Sequence, residues 1–386
     1  MTPSATRRLL AIHRWCGVIV SLNLAILALT GLVLVFRHEI DQALGVAPPT
    51  EANAGELSLA RAVELARAAR PGTNAVYVAR DADEYPGLVF VGLSTTSRRF
   101  SDAQPIALSV PSGRILEHFD VDGSFTGTVL RLHSELLAGP IGRVLVGLVA
   151  LLILASLVTG AIVYGPLMRR FSFGLLRVDR ARRTLLADVH KLLGAATFGW
   201  NAVVAATGLL LSLGSLLLQL YSMTELAALG APFAGRPIVT DVSTLDRAVA
   251  SAERLAPGRP WSVIALPGSD LASPAHYTVL LQGGLGVEAH MLTMALVDAT
   301  EPSAAKLHDL PWYLKALLLS EPLHFGDYGG LPLKALWTLF GLVTLGLSGT
   351  GVLVFFAAGR RRADRTRSEV LDLDAVSSSA IEGTPQ

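Results

Sequence analysis

Cysteine is almost absent from this chain. One residue in 386, Cys16, excludes an intrachain disulfide, a Cys-ligated iron–sulfur cluster and any Cys-x-x-Cys site. Charge is scarce as well: 16% of residues are Asp, Glu, Lys or Arg, the net charge is +1, and nothing global points to nucleic acid. No Gly-x-Gly-x-x-Gly run follows a candidate strand, so the chain carries no dinucleotide fingerprint of its own. What stands in place of charge is apolar. Hydrophobic residues make up 51% of the chain and the mean hydropathy is +0.50, well off the soluble average.

Four runs are long and apolar enough to cross a bilayer core of about 30 Å as helices. They span 15–36, 141–167, 194–220 and 335–357. Arg7 and Arg8 before the first give it the look of a signal peptide. It is too long for a signal core, no small-residue cleavage site follows, and three more spans come later, so it is read as retained. Basic residues gather before span one (Arg7, Arg8, Arg14), between spans two and three (Arg169, Arg170, Arg177, Arg180, Arg182, Arg183, Lys191) and after span four (Arg360, Arg361, Arg362, Arg365, Arg367). All three clusters fall on one side, which makes that side, with both termini, cytoplasmic. The tail beyond about 368 reads as disordered.

The segments 37–140 and 221–334 then lie outside the cytoplasm, and they resemble each other. In the first, a helical pattern over Leu57 to Arg70 ends at Pro71-Gly72, and strand-like runs follow at 75–78, 88–91 and 106–110. Pro111-Ser112-Gly113 is a turn leading to Arg114-Ile115-Leu116. The second has a helix from about Leu245 to Leu255, Pro257-Gly258, and strands at 261–266, 277–281 and 291–297. Each reads as one helix on a small antiparallel sheet.

The spans themselves are duplicated. His13 is followed by Gly17 at +4 and Thr30-Gly31 at +17 and +18; His190 is followed by Gly194 and Thr207-Gly208 at the same offsets. His133 has Arg143 at +10 and Thr159-Gly160 at +26 and +27, and His324 has Lys334 and Thr350-Gly351 likewise. Four histidines at the ends of four spans, in two matched halves, suggest paired axial ligands for two haems. A neutral imidazole supplies the axial nitrogen, and depth fixes the pairing: His13 with His190 inside, His133 with His324 outside.

At these residues the chain resembles the PepSY-associated transmembrane proteins, a bacterial inner-membrane family that includes ferric-siderophore reductases. The resemblance rests on Leu10-Ala11-Ile12-His13-Arg14-Trp15-Cys16-Gly17, the helix-and-hairpin unit ending Val110-Pro111-Ser112-Gly113-Arg114-Ile115-Leu116, Leu132-His133-Ser134-Glu135-Leu136, and Asp188-Val189-His190-Lys191-Leu192-Leu193-Gly194. It covers nearly all of the chain except the C-terminal tail. The second unit departs from the pattern, because its turn reads Val297-Asp298-Ala299-Thr300-Glu301 and lacks the glycine. The resemblance implies a b-type cytochrome reductase with two haems, one near each membrane face. Its fold would be membrane α-helical, with four transmembrane helices in two parallel repeats and two extracytoplasmic α+β PepSY-like units. The expected layout is 1–40 for the N-terminus and first helix, 41–124 for the first unit, and 125–170 for an interfacial segment and second helix. It continues with a cytoplasmic loop at 171–190, a third helix at 191–222, a second unit at 223–308, an interfacial segment and fourth helix at 309–358, and a tail at 359–386.

At about 100° per residue, positions +4 and +18 fall within roughly 40° of the histidine face. Gly17 and Gly194 would make room at the inner haem, Gly31 and Gly208 at the outer, and Gly160 and Gly351 again at the inner one if the helices run on from His133 and His324. Small residues also simply let membrane helices pack closely. Arg14 and Lys191 inside, with Arg143 and Lys334 outside, are candidate partners for haem propionates. Arg14 and Lys191 also lie where topology wants positive charge; Arg143 and Lys334 do not. His38 sits near the outer haem, at a substrate contact or in solvent, His308 precedes Pro311-Trp312-Tyr313, an aromatic cluster that reads as an interfacial belt, and His118, His276 and His290 read as ordinary residues of the two units.

The expected activity is electron transfer from a cytoplasmic or quinol donor to a ferric siderophore, with the lipid bilayer as the surrounding partner. A transporter would place ionisable groups at the midplane, where these spans hold little beyond the amides Asn23 and Asn201. A structural zinc would need ligands converging in one shell. A sensor or protease-regulating role for the two units would need no haem.

Overall fold

The computed structural model describes residues 2–46, 57–81, 85–116, 123–168, 174–284, 286–326 and 328–382. The first half runs α1 (Pro3–Leu34), α2 (Arg37–Ala43), α3 (Leu59–Ala69), β1 (Asn74–Ala79), β2 (Leu88–Ser94), β3 (Gln104–Ser109), α4 (Phe125–Glu135) and α5 (Gly139–Met168). The second runs α6 (Arg182–Ala196), α7 (Phe198–Ser212), α8 (Gly214–Met223), α9 (Glu225–Gly230) and α10 (Leu245–Leu255). It continues with β4 (Trp261–Ala265), β5 (His276–Leu281), β6 (Thr293–Asp298), β7 (Ala305–His308), α11 (Trp312–Phe325) and α12 (Gly330–Glu382). Two compact units result: Met1–Leu32 with Leu145–Leu209 and Ala335–Gln386, and Val33–Val144 with Leu210–Lys334.

In the first unit, Pro3–Leu34, Gly139–Gly165 and Gly330–Ala357 are each long and apolar enough to cross a membrane. The third expected span differs from expectation. α6 and α7 pass that test only as a pair, bent by 65° at Thr197. The bend falls in Gly194-Ala195-Ala196-Thr197-Phe198-Gly199, where glycines weaken the helix. Polar side chains then hold it: the buried Thr197 hydroxyl donates to the Leu193 carbonyl and accepts from Asn201 Nδ2 at 2.9 Å, while Thr344 Oγ1 donates to Asn201 Oδ1 at 3.2 Å. Asn201 is thus an interhelical amide. The tail also differs from expectation: α12 continues to Glu382, through a stretch with no helix-breaking Gly or Pro between Gly359 and Glu382.

The second unit is built on one seven-stranded sheet of order β3-β2-β1-β4-β5-β6-β7, with every pair antiparallel. The two small sheets expected from sequence are halves of it, joined where Tyr77, Val78 and Ala79 of β1 pair with Ala265, Ile264 and Val263 of β4. Alternation sorts its faces. Ala295 and Val297 turn to a core capped by α3 and α10, whereas Met294 and Leu296 turn to a second cluster with Tyr221, Leu226, Leu310 and Leu314. α3 starts where Asp246 of α10 accepts from the backbone N–H of Leu59 and Ala60, so one half caps a helix of the other. β7 follows a turn that lacks the glycine. There Asp298 Oδ1 accepts from Thr300 N at 2.8 Å and Glu301 N at 3.2 Å, an Asx turn that does the same work.

Candidate functional site: two histidine pairs

His13 lies ten residues into α1 and His190 in the third turn of α6, both half-buried in the membrane unit. Their ring centroids are 6.2 Å apart with planes at 62°. Each ring is held by the same kind of contact. His13 Nδ1 lies 2.9 Å from the Ser156 carbonyl oxygen on α5, and His190 Nδ1 lies 3.1 Å from the Leu347 carbonyl oxygen on α12. A carbonyl only accepts, so in both rings Nδ1 carries a proton, and a neutral ring so held keeps its lone pair on Nε2. Hydroxyls add to each contact, Ser156 Oγ at 3.3 Å and Thr350 Oγ1 at 3.2 Å.

Gly160 and Gly351, each four residues beyond its carbonyl, lie against these rings. A Cβ at Gly160 would sit 2.9 Å from His13 Cε1, and one at Gly351 would sit 3.1 Å from His190 Cε1. Gly17 and Gly194 face the same two positions from α1 and α6, where a Cβ would find Ser156 Oγ at 3.8 Å and Leu347 Cδ1 at 3.5 Å. Gly31 on α1 and Gly208 on α7 are half-buried, each beside a buried threonine, Thr30 and Thr207.

His133 and His324 pair in the second unit, with ring centroids 6.0 Å apart and planes at 70°. They do not lie on the spans that follow them. His133 is in the last turn of α4 and His324 in the last turn of α11, and each helix ends in a left-handed cap, Leu136 at φ 49° and Gly326 at φ 68°. The premise of continuous helices from His133 to Gly160 and from His324 to Gly351 is therefore corrected. Leu136 and Leu137 both take positive φ, a strained conformation for leucine, three and four residues after His133.

The basic candidates have partners of their own. Arg14 lies over the Phe355 ring at 5.4 Å. Lys191 pairs with the buried Asp188 at 3.2 Å, which also takes Arg177 at 2.7 Å. Arg143 pairs with Glu135 at 3.1 Å, and Lys334 with Glu39 at 2.6 Å. Sequence reasoning passed over these carboxylates. Spacing of eight residues for Arg143 and 295 for Lys334 follows no local rule that would have flagged them.

Among the other histidines, His38 is half-buried in α2 and His308 ends β7. His276 is fully buried on β5: its Nε2 meets Thr278 Oγ1 at 3.0 Å, its Nδ1 accepts from Ser273, and burial pushes its pKa down to about 4. His118 lies outside the described residues. Among the described residues, no three His, Cys, Asp or Glu side chains gather as a metal centre.

Helices able to span a bilayer, together with a seven-stranded antiparallel α+β unit, define a helical membrane protein with an appended sheet domain. The chain belongs to the PepSY-associated TM region family, which it matches over residues 10–358. It is also similar to an uncharacterized protein of Pseudomonas aeruginosa, at 27% identity over 277 residues, 66% of this chain and 68% of that protein.

Proposed function

We propose that this protein is an inner-membrane b-type cytochrome with two haems, passing electrons from a cytoplasmic or quinol donor to a periplasmic ferric siderophore and releasing Fe(II). The observation that carries this reading is the geometry of the two histidine pairs. An imidazole nitrogen bonds a metal at about 2 Å and lies about 1.2 Å from its ring centre, so two axial imidazoles put their centroids about 6.4 Å apart. The pairs here stand at 6.2 and 6.0 Å. Plain edge-to-face ring pairs also fall at about 4.5–7 Å. What favours ligation is the inner pair's hydrogen bonding, which reserves both Nε2 lone pairs.

Bound between two such imidazoles, haem supplies reversible one-electron transfer at a six-coordinate iron. The chain's own residues supply the rest. The carbonyls of Ser156 and Leu347 orient the inner rings, and the helix ends of α4 and α11 present the outer ones. Arg143 and Lys334 are the cations suited to outer propionates, exchanging Glu135 and Glu39 for them, and Arg14 and Lys191 serve inside. The basic flanks support cytoplasmic termini, and the matched contacts of His13 and His190 support two parallel repeats about an axis along the membrane normal. One-electron reduction of Fe(III) weakens its hold on hard oxygen donors, which is how the chelate would release iron.

An absorption spectrum and haem count of the purified protein test this reading. Two low-spin b-type haems are expected, with one lost in His13→Ala and the other in His133→Ala. Full-length folded protein without haem bands sinks the proposal. Haem whose amount and spectrum survive both substitutions refutes the pairing.

A further inference from the structure

We infer that Gly160 and Gly351 are positioning residues for the inner histidine pair, each fixing the plane and tautomer of the ring it touches so that both axial positions stay filled. The inference rests on the haem reading above and names what holds that site in its six-coordinate state. The first support is steric. Carbon atoms in ordinary contact stand about 3.5–4.0 Å apart, and the added Cβ would stand 2.9 Å from His13 Cε1 with Nδ1 at 3.1 Å, or 3.1 Å from His190 Cε1 with Nδ1 at 3.5 Å. The ring must move, since the glycine sits in a span whose backbone is pinned by its own hydrogen bonds.

The second support is where that movement leads. The crowded atoms, Cε1 and Nδ1, include the nitrogen that donates to the Ser156 or Leu347 carbonyl one helical turn away. A ring pushed off the glycine therefore stretches the bond that sets its tautomer and swings its Nε2 off the axis. The same four-residue spacing between carbonyl and glycine recurs on α5 and α12, so the two halves build one device twice.

What sets these positions apart is the group they touch, not glycine on these helices in general. On the same two helices a Cβ at Gly165 or Gly349 would meet nothing within 4 Å. Other glycines of the two helices are crowded by other groups, Gly341 by Leu32 Cδ2 at 2.8 Å and Gly142 by the Glu135 carbonyl; at Gly160 and Gly351 the crowded group is a histidine ring.

The test uses full-length protein in detergent, with haem count, low-spin to high-spin ratio and carbon monoxide binding as readouts. Wild type is expected to carry two low-spin haems and bind no carbon monoxide. Gly160→Ala and Gly351→Ala should each either lose about one haem per chain or convert about one to a high-spin form that binds carbon monoxide, with added imidazole restoring the low-spin spectrum of a converted haem. Gly165→Ala and Gly349→Ala should match wild type. The outer haem's unchanged spectrum reports that a variant is folded. Gly351→Ala, the milder clash, repeats the test should Gly160→Ala not fold. Two low-spin haems closed to carbon monoxide in both Gly160→Ala and Gly351→Ala would overturn the inference while leaving the proposed function intact. Equal haem effects in Gly341→Ala, whose added Cβ would crowd Leu32 Cδ2 at 2.8 Å and no histidine, would overturn it in favour of general packing. A wild type without haem removes the proposed function itself, and this inference with it.

Discussion

Replacing Asp246 with alanine should weaken the join between the two halves of the sheet unit. The Asp246 carboxylate, on α10 in the second half, accepts from Leu59 N at 2.7 Å and from Ala60 N at 3.1 Å, the first two backbone donors of α3 in the first half. Ser58 Oγ takes the next donor, Arg61 N, at 3.2 Å. In Asp246→Ala the two freed N–H groups have no other acceptor in the helix. A hydrogen bond to a charged group contributes about 1.5–3 kcal/mol net, and a carboxylate at a helix N-terminus adds about 0.3–1 kcal/mol. Asp246 is only half-buried and water can take up part of the loss, so the total is about 2–4 kcal/mol. For a unit of this size 1 kcal/mol moves the melting temperature by about 2–4 °C, giving a fall of roughly 5–15 °C. Thermal unfolding of the detergent-purified protein, followed by the fluorescence of its tryptophans, which include the buried Trp261 at the start of β4, measures it. Asp246→Asn, which keeps one acceptor without the charge, should fall between. A shift below about 2 °C for Asp246→Ala would mean that the shared core and the β1–β4 seam join the halves without help from this cap, and would refute the capping argument.

Other outcomes follow from the same kind of reasoning. Because burial holds His276 at about 4 while an unfolded histidine titrates near 6.5, the unfolded chain binds more protons between those values. Stability should be complete above about pH 6.5 and decline by about 3 kcal/mol as pH falls to 4, and His276→Gln should flatten that slope in urea midpoints measured across the window. Asp298 is pushed up by burial but held well below the usual carboxylate range by Arg236 at 2.7 Å and by the donors of Thr300 and Glu301. Its contribution is present above about pH 3.9 and lost below it. Arg236→Met should therefore be less stable at pH 7, and its urea-midpoint deficit relative to wild type should narrow in acid. Asn201→Leu removes the bond from Thr344 on α12 and the tie to Thr197, and should cost about 0.6–1.7 kcal/mol in detergent unfolding.

Much of the architecture was legible because it is written in local periods. α10 begins and ends where its 3.6-residue pattern does, Leu245–Leu255, and α3 within two residues of its own, while six of the seven strands lie at the apolar runs that marked them. β7 was missed because Ala305–His308 is short and mostly turned to solvent, with no alternating apolar pattern to announce it. The break at Thr197 was missed because hydropathy averages over it: the apolar run from 194 to 220 continues while the backbone turns. In the site, the spacing of the histidines named both pairs, since duplication leaves equal offsets whatever the fold does between them. Their backbone partners could not be read, because a carbonyl acceptor belongs to every residue type and Ser156 and Leu347 share no side-chain chemistry.

By itself, then, the sequence determined that this chain carries helices apolar enough for a bilayer, that its histidines recur at matching offsets, and which histidines match which. These are matters of transfer free energy and repeat spacing, and both are additive along the chain. Only the tertiary structure decided that β1 and β4 fuse two small sheets into one, that His133 and His324 sit on helix ends of their own, and that Gly160 and Gly351 touch imidazole. The first and last depend on groups far apart in sequence meeting at contact distance, and no local pattern encodes a distance of 2.9 Å between a span's glycine and a ring 147 residues away.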